Sequence, residues 1–284
     1  MMRLQNFLLS ALLSLLATAS CVGQRTPIVF MQIADPQMGM FSNNHGSQQE
    51  IFNLTSVANE ANLLHPAFLV ICGDLMNDGS GPGQLKAFKT TIDRLQGVPL
   101  HLVPGNHDVG NHPTSSQLAL YRRRFGPDYY EFQSGSLIGI VLDSMLMADK
   151  TVPNETSRQY RWLQKTLEKA SRQKGKQIAI FQHIPFFVRT ADEPGSYWNI
   201  PLQQRSAYLS LLHKYRVKYI FAGHLHYPAV GRDGNLEVVI VGATGKPLGN
   251  SVSGFNLVQV NPNGHWQHHY FPLSDMPTHI QPPW

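Results

Sequence analysis

Phe68-Leu69-Val70-Ile71-Cys72-Gly73-Asp74 is the stretch whose reading decides the fold. Five residues run without a polar break and stop at a glycine followed by a carboxylate. Such a run between turn signals reads as a parallel strand buried on both faces. The helical spacing over 48–64, with Ile51, Leu54, Val57, Ala61 and Leu64 on one side, supplies a covering layer. The same unit recurs outward from it. Residues 28–33 are apolar and break at Asp35-Pro36-Gln37. Residues 100–103 enter Gly105-Asn106-His107-Asp108, 177–181 end at Gln182-His183-Ile184-Pro185, and 218–221 end at Gly223-His224-Leu225-His226. Further helices are expected over 84–95, 117–125, 158–172 and 202–215, and strands at 131–132 and 137–142. The pattern then turns all-β, at 237–241, 255–260 and 266–271. Helices alternating with buried strands imply right-handed βαβ units and a mainly parallel sheet. The β-rich tail suggests a second sheet packed on the first. All five motifs fall at the C-terminal ends of strands, where open α/β sheets bind ligands.

A chain of 284 residues suits one large α/β domain or two small ones. With 42% hydrophobic and 14% charged residues it carries no disordered block. The net charge of +5 is spread, with small clusters at 122–124 and 172–176. These read as solvated helix faces and not as a nucleic-acid groove, so no obligate nucleic-acid partner is expected. At the N-terminus Arg3 precedes an apolar run over 7–16 and then Ala17-Thr18-Ala19-Ser20-Cys21, the order of a secretory signal peptide. Residues 1–19 are expected to be that leader and 20–27 a short linker, with 28–273 the folded domain and 274–284 a tail. The protein is then extracytoplasmic. Cleavage before Cys21 would make it a lipoprotein, and that lipid is the only membrane link expected. Cys21 and Cys72 are the two cysteines, so the fold cannot depend on disulfides. N-x-T sequons stand at Asn53 and Asn154. Oligomeric state has no signature here.

Singly, the motifs are ambiguous. Asp35-Pro36 alone is a turn. Asp74 is a helix cap or a costly buried carboxylate. The Gly105 tetrapeptide is a hairpin turn or a site in which Asn106 offers a carbonyl oxygen and His107 faces inward. His224 and His226, at i and i+2 of an extended segment, would point to one side. Jointly they supply Asp, Asp, Asn and three His with one His to spare, the donor set of a two-metal site with a general acid beside it.

Ala34-Asp35-Pro36-Gln37, Cys72-Gly73-Asp74-Leu75, Gly105 through Asn111, Phe181 through Pro185 and Gly223-His224 resemble the motifs of calcineurin-like metallophosphoesterases. More narrowly, the chain resembles the calcineurin-like phosphoesterase domain-containing protein 1 group of Ser/Thr phosphatases, from about residue 28 to about residue 273. The resemblance implies a four-layer α/β/β/α sandwich of two mixed sheets. It implies Asp35, Asp74 and His226 on one metal, Asp74, Asn106, His183 and His224 on the other, and His107 as proton donor to the leaving oxygen. The wider superfamily has His where this chain has Gln37. An amide there weakens the first site and favours Mn²⁺ or Mg²⁺ over Zn²⁺ or Fe. Asn77, with Asp78 beside it, stands where many relatives place the acid that orients the proton donor. Asp108 is a further supporting residue, and Phe186, Phe187, Tyr197 and Trp198 form a candidate substrate wall. The expected reaction is hydrolysis of a phosphate monoester, in a small molecule or as phosphoserine or phosphothreonine, by hydroxide bridging two divalent ions. The alternatives are a phosphodiesterase or nucleotidase on the same scaffold, or a non-catalytic metal-binding module.

Overall fold

The structure, a computed structural model, describes residues 26–282. The expected leader over 1–19, most of the segment 20–27, and Cys21 with its lipid alternative lie outside the described residues. The elements run β1 (Ile28–Ile33), α1 (Gln48–Leu64), β2 (Leu69–Cys72), α2 (Pro82–Ile92), β3 (Leu100–Val103), α3 (Asn106–Val109), α4 (Ser115–Phe125), β4 (Tyr130–Ser134) and β5 (Leu137–Val141). They continue α5 (Met145–Ala148), α6 (Pro153–Ser171), β6 (Gln177–Phe181), α7 (Leu202–Lys214), β7 (Tyr219–Ala222), β8 (Ala229–Asp233), β9 (Leu236–Ile240), β10 (Gly254–Val260) and β11 (Trp266–Pro272).

Two sheets form, in the orders β11-β10-β1-β2-β3 and β4-β5-β6-β7-β9-β8. The strands that carry the motifs, β1, β2, β3, β6 and β7, pair in parallel within their sheets. Each strand of a parallel sheet needs cover on both faces, and the two-residue alternation supplies it. Met31, Ile33, Leu69 and Ile71 join the cluster that holds Leu54, Val57 and Ala61 of α1. Phe30, Phe68 and Val70 face the other way and pack with Phe181 and Phe221 of the second sheet. Phe30 sits at the middle, stacked on Phe68 at 4.7 Å between ring centroids and edge-on to Phe181 and Phe221 at 5.7 and 5.2 Å. Gln32 is buried between the sheets and bridges them. Its Nε2 donates to the Ala222 carbonyl at 3.0 Å, and its Oε1 accepts from Asn256 at 3.0 Å. The Leu163 and Leu167 face of α6 covers the second sheet, completing the four-layer α/β/β/α sandwich.

The tail is a correction. It does not make the second sheet, which is already built by β4 to β7. The tail divides, with β8 and β9 extending that sheet and β10 and β11 pairing onto β1 of the first. β8 escaped the sequence reading because Ala229-Val230-Gly231-Arg232-Asp233 lacks apolar alternation, as suits an edge strand. Asn53 is no glycan acceptor: it is buried, and its amide donates to the carbonyls of Thr244 and Gly245. Cys72 is a buried free thiol. Among the described residues no helix is long and apolar enough to cross a membrane.

Candidate metal centre

The five motifs leave their strands at one end of the sandwich, and the backbone there is unusual. Asp35, Gln37, Asp74, His224 and His226 have φ of 52°, 40°, 52°, 76° and 60°. Left-handed backbone costs a residue with a side chain roughly 1–3 kcal/mol, so it persists only where the surroundings impose it. Here the loops hydrogen-bond to one another: Asp35 N donates to Gly73 O at 3.0 Å, Gln37 N to Asp74 O at 2.8 Å, and Gly223 N to His183 O at 3.1 Å. Close approach excludes a side chain at Gly105, where a Cβ would lie 2.1 Å from Asp74 N. The expectation of an extended Gly223-to-His226 segment is overturned. The chain turns at His224 and again at His226, so the imidazoles diverge to two subsites. Gly105 starts not a hairpin but α3, whose Asp108 carboxylate accepts from the N–H groups of Gly105, Leu75 and Met76.

In the second subsite His183 Nε2 lies 3.0 Å from Asn106 Oδ1, 3.2 Å from His224 Nδ1 and 3.3 Å from Asp74 Oδ2. In the first, His226 Nε2 lies 3.5 Å from Asp35 Oδ1. Asp74 groups with His183 and His224 on one side and with Asp35 and His226 on the other, which suits a ligand that bridges. Each imidazole spends its other nitrogen on a backbone carbonyl: His183 Nδ1 on Cys72 O at 2.8 Å, His224 Nε2 on Tyr197 O at 2.9 Å, and His226 Nδ1 on Lys246 O at 2.6 Å. A carbonyl only accepts, so those nitrogens carry the protons and the facing nitrogens can offer lone pairs. The carboxylates are pinned likewise. Asp35 Oδ2 accepts from His224 N at 3.0 Å and Asp74 Oδ1 from His107 N at 2.9 Å, each leaving one oxygen to the centre.

Electrostatics and unmet bonds both fit divalent cations. Asp35 Oδ1 and Gln37 Oε1 are buried with no hydrogen-bond partner. An orphaned buried oxygen is costly unless an ion takes it. Burial pushes the Asp35 carboxyl up. Burial also disfavours charge on Asp74, but His183 and His107 outweigh it and hold that carboxyl low. Burial disfavours charge on His183 too, yet Asp74 and Asp35 raise it to about 9, so the pocket demands positive charge. Burial, with the neighbouring His183, drives His224 down to about 3, the neutral form a metal needs. The oxygen-weighted donors Asp35, Asp74, Gln37 and Asn106, with three imidazoles, suit divalent first-row ions.

His107 sits at the rim. Its Nδ1 donates to the Asn77 backbone carbonyl at 2.8 Å. The expected side-chain role of Asn77 is therefore corrected, because its Oδ1 instead accepts from Gln37 Nε2 at 3.1 Å. Asp78 does not support the centre: its carboxylate binds Ser80 and closes the following turn. Phe186 and Phe187 are fully buried core residues and not a substrate wall. Tyr197 and Trp198 do stand at the centre, 4.8 and 5.8 Å from the His224 ring. The sequence could not expose the carbonyls of Cys72, Tyr197 and Lys246, since any residue supplies one.

Residues 28–228 match the profile of the family described as Calcineurin-like phosphoesterase. The chain belongs to that family. This phosphoesterase is 34% identical over 254 residues to serine/threonine-protein phosphatase CPPED1 of Danio rerio, spanning 84% of this chain and 82% of the relative. The Homo sapiens CPPED1 is 33% identical over 273 residues, spanning 88% and 85%. Among solved structures, a dimetal phosphatase from Danio rerio aligns with a TM-score of 0.62 at 15% identity, over 82% of this chain and 95% of that one. Purple acid phosphatase PPD1 from yellow lupin aligns with a TM-score of 0.68 at 18% identity, over 90% and 53%. At such identities the structures speak for the fold alone. Fold, family and relatives together make this phosphoesterase a metal-dependent phosphatase, a hydrolase of phosphoester bonds.

Proposed function

We propose that the centre holds two divalent ions, Mn²⁺ or Mg²⁺ in preference to Zn²⁺ or Fe, and hydrolyses phosphoserine or phosphothreonine monoesters. The observation that carries this is the convergence of His183, His224, Asn106 and Asp74 opposite Asp35, His226 and the orphaned Gln37 oxygen. Bound there, two ions supply charge neutralisation for a phosphoryl group and acidify water for attack. The chain's own residues do the rest. Asp74 keeps the two subsites adjacent, and the backbone carbonyls orient His183, His224 and His226 so that their facing nitrogens can offer lone pairs to a metal. His107, fixed through Nδ1, presents Nε2 as the proton donor to the departing alkoxide. The CPPED1 relatives, described as serine/threonine-protein phosphatases, support the phosphoprotein substrate.

The test is phosphate release from phosphoserine and phosphothreonine peptides by metal-stripped protein reloaded with Mn²⁺. Release that depends on Mn²⁺ is expected. Hydrolysis of bis-p-nitrophenyl phosphate with no release from the peptides would replace this reading by a diesterase. We further propose that residues 1–19 are an export leader. The order of Arg3, the apolar run and Ala17-Thr18-Ala19 supports it. Mass spectrometry of protein from its native host should find an N-terminus at Ser20 or a lipid-modified Cys21, and an intact Met1 in the cytosol would refute export.

A further inference from the structure

Beside the metal centre lies a cleft of about 480 Å³ between Trp198, Tyr227, Pro228 and Leu248. Its walls come from three separate loops, following β6, β7 and β9, and each is tied to a histidine of the centre. Trp198 follows Tyr197, whose carbonyl holds His224, and its ring lies 5.8 Å from that imidazole. Tyr227 follows His226 directly. Leu248 N donates to the His226 carbonyl at 3.2 Å. The cleft therefore adjoins the centre, and its walls are anchored to the residues that hold His224 and His226. The Trp198 loop is braced from within, since the Glu193 carboxylate accepts from the N–H groups of Val188 and Arg189 and from the Asn199 amide.

Trp198, Tyr227 and Leu248 are 39%, 39% and 37% exposed, so none serves mainly as core. Among the described residues no charged side chain lines the cleft. Phosphate would meet no countercharge there, only the Asn250 and Ser251 side chains, whereas an uncharged ring or branched chain would lose water against two aromatic side chains and a leucine. We infer that this cleft is the subsite for the leaving-alcohol side of the substrate, and that it selects monoesters in which an aromatic or branched apolar group stands beside the ester, in a phosphoserine or phosphothreonine peptide a neighbouring side chain. The inference rests on the phosphomonoesterase reading above.

The test compares ethyl phosphate with 2-phenylethyl phosphate under Mn²⁺. Both release an alkoxide of similar basicity, and they differ by one ring. The wild-type protein should favour the phenylethyl ester in kcat/KM by on the order of tenfold, carried by KM. Trp198→Ala and Leu248→Ser should each move that ratio toward 1. Because the ratio is internal to each variant, a partial loss of active protein does not alter it. A wild-type ratio near 1, or a ratio that survives both substitutions, overturns the subsite while leaving the phosphatase reading standing. Hydrolysis of neither ester also overturns the subsite, while the monoesterase reading then stands or falls on the phosphopeptide assay above.

Discussion

His107 touches the centre through its backbone, which donates to Asp74, while its ring is steered by the Asn77 carbonyl. That separation predicts a mutant phenotype. His107→Ala should keep metal content, measured by elemental analysis, and lose turnover by about 10²–10⁴-fold, the usual worth of a proton donor. The loss should be smaller on p-nitrophenyl phosphate, whose leaving group needs little protonation, than on an alkyl phosphate. Loss of metal in the variant would make His107 a ligand instead. Gln37 invites the opposite change. Its Oε1 is orphaned and its Nε2 is spent on Asn77. Imidazole is the stronger donor toward borderline metals, so Gln37→His should tighten the weaker of two unequal sites in a Zn²⁺ titration. Two equal sites indifferent to the substitution would refute the inequality.

Among the elements, β3 carries a cost that pH should reveal. His101 stacks on Phe132 of β4 and meets Phe68 edge-on. Burial pushes it down from its ordinary 6.5 to about 4. Between those values the unfolded chain binds a proton that the folded one refuses, so stability falls as pH falls from 6.5 toward 4. His101→Phe should flatten that part of the thermal-melt profile, and an unchanged slope would clear His101 of the effect. The apolar runs before Asp74, His183 and His224 were legible because burial on both faces favours continuous hydrophobicity, and those before Asp35 and Asn106 were legible despite Gln32 and His101 within them. The pairing of β10 with β1 was not, because 254–260 reads the same beside any partner. Nor were the left-handed turns at Asp35, Asp74, His224 and His226, which no composition requires: loops bonded across the sheets impose them.

For the molecule as a whole, the centre gathers buried carboxylates, imidazoles and orphaned oxygens at the open end of both sheets. Removing bound ions leaves those groups to each other. A ligand present at 100 times its Kd contributes about 2.7 kcal/mol to stability, worth roughly 5–10 °C in Tm for a domain of this size. Chelation should lower the melting temperature by that order, and Mn²⁺ should restore it. A melt indifferent to both would count against a loaded centre. Alternation showed helices packed on a parallel sheet and the four layers came from the resemblance to calcineurin-like metallophosphoesterases, but the contribution of the tail to both sheets was legible in neither, and it bears on the centre. Strand β10 sets the loop whose Gly245 N donates to Asp35 O, and Thr244 N donates to Ala34 O. The five left-handed residues have a last consequence, for transplantation. Copying Asp35, Gln37, Asp74, Asn106, His183, His224 and His226 onto the strand ends of another scaffold would carry the donors but not their aim. The graft would have to bring the interlocked turns with it, so this centre is inherited as a set of loops and cannot be acquired one side chain at a time.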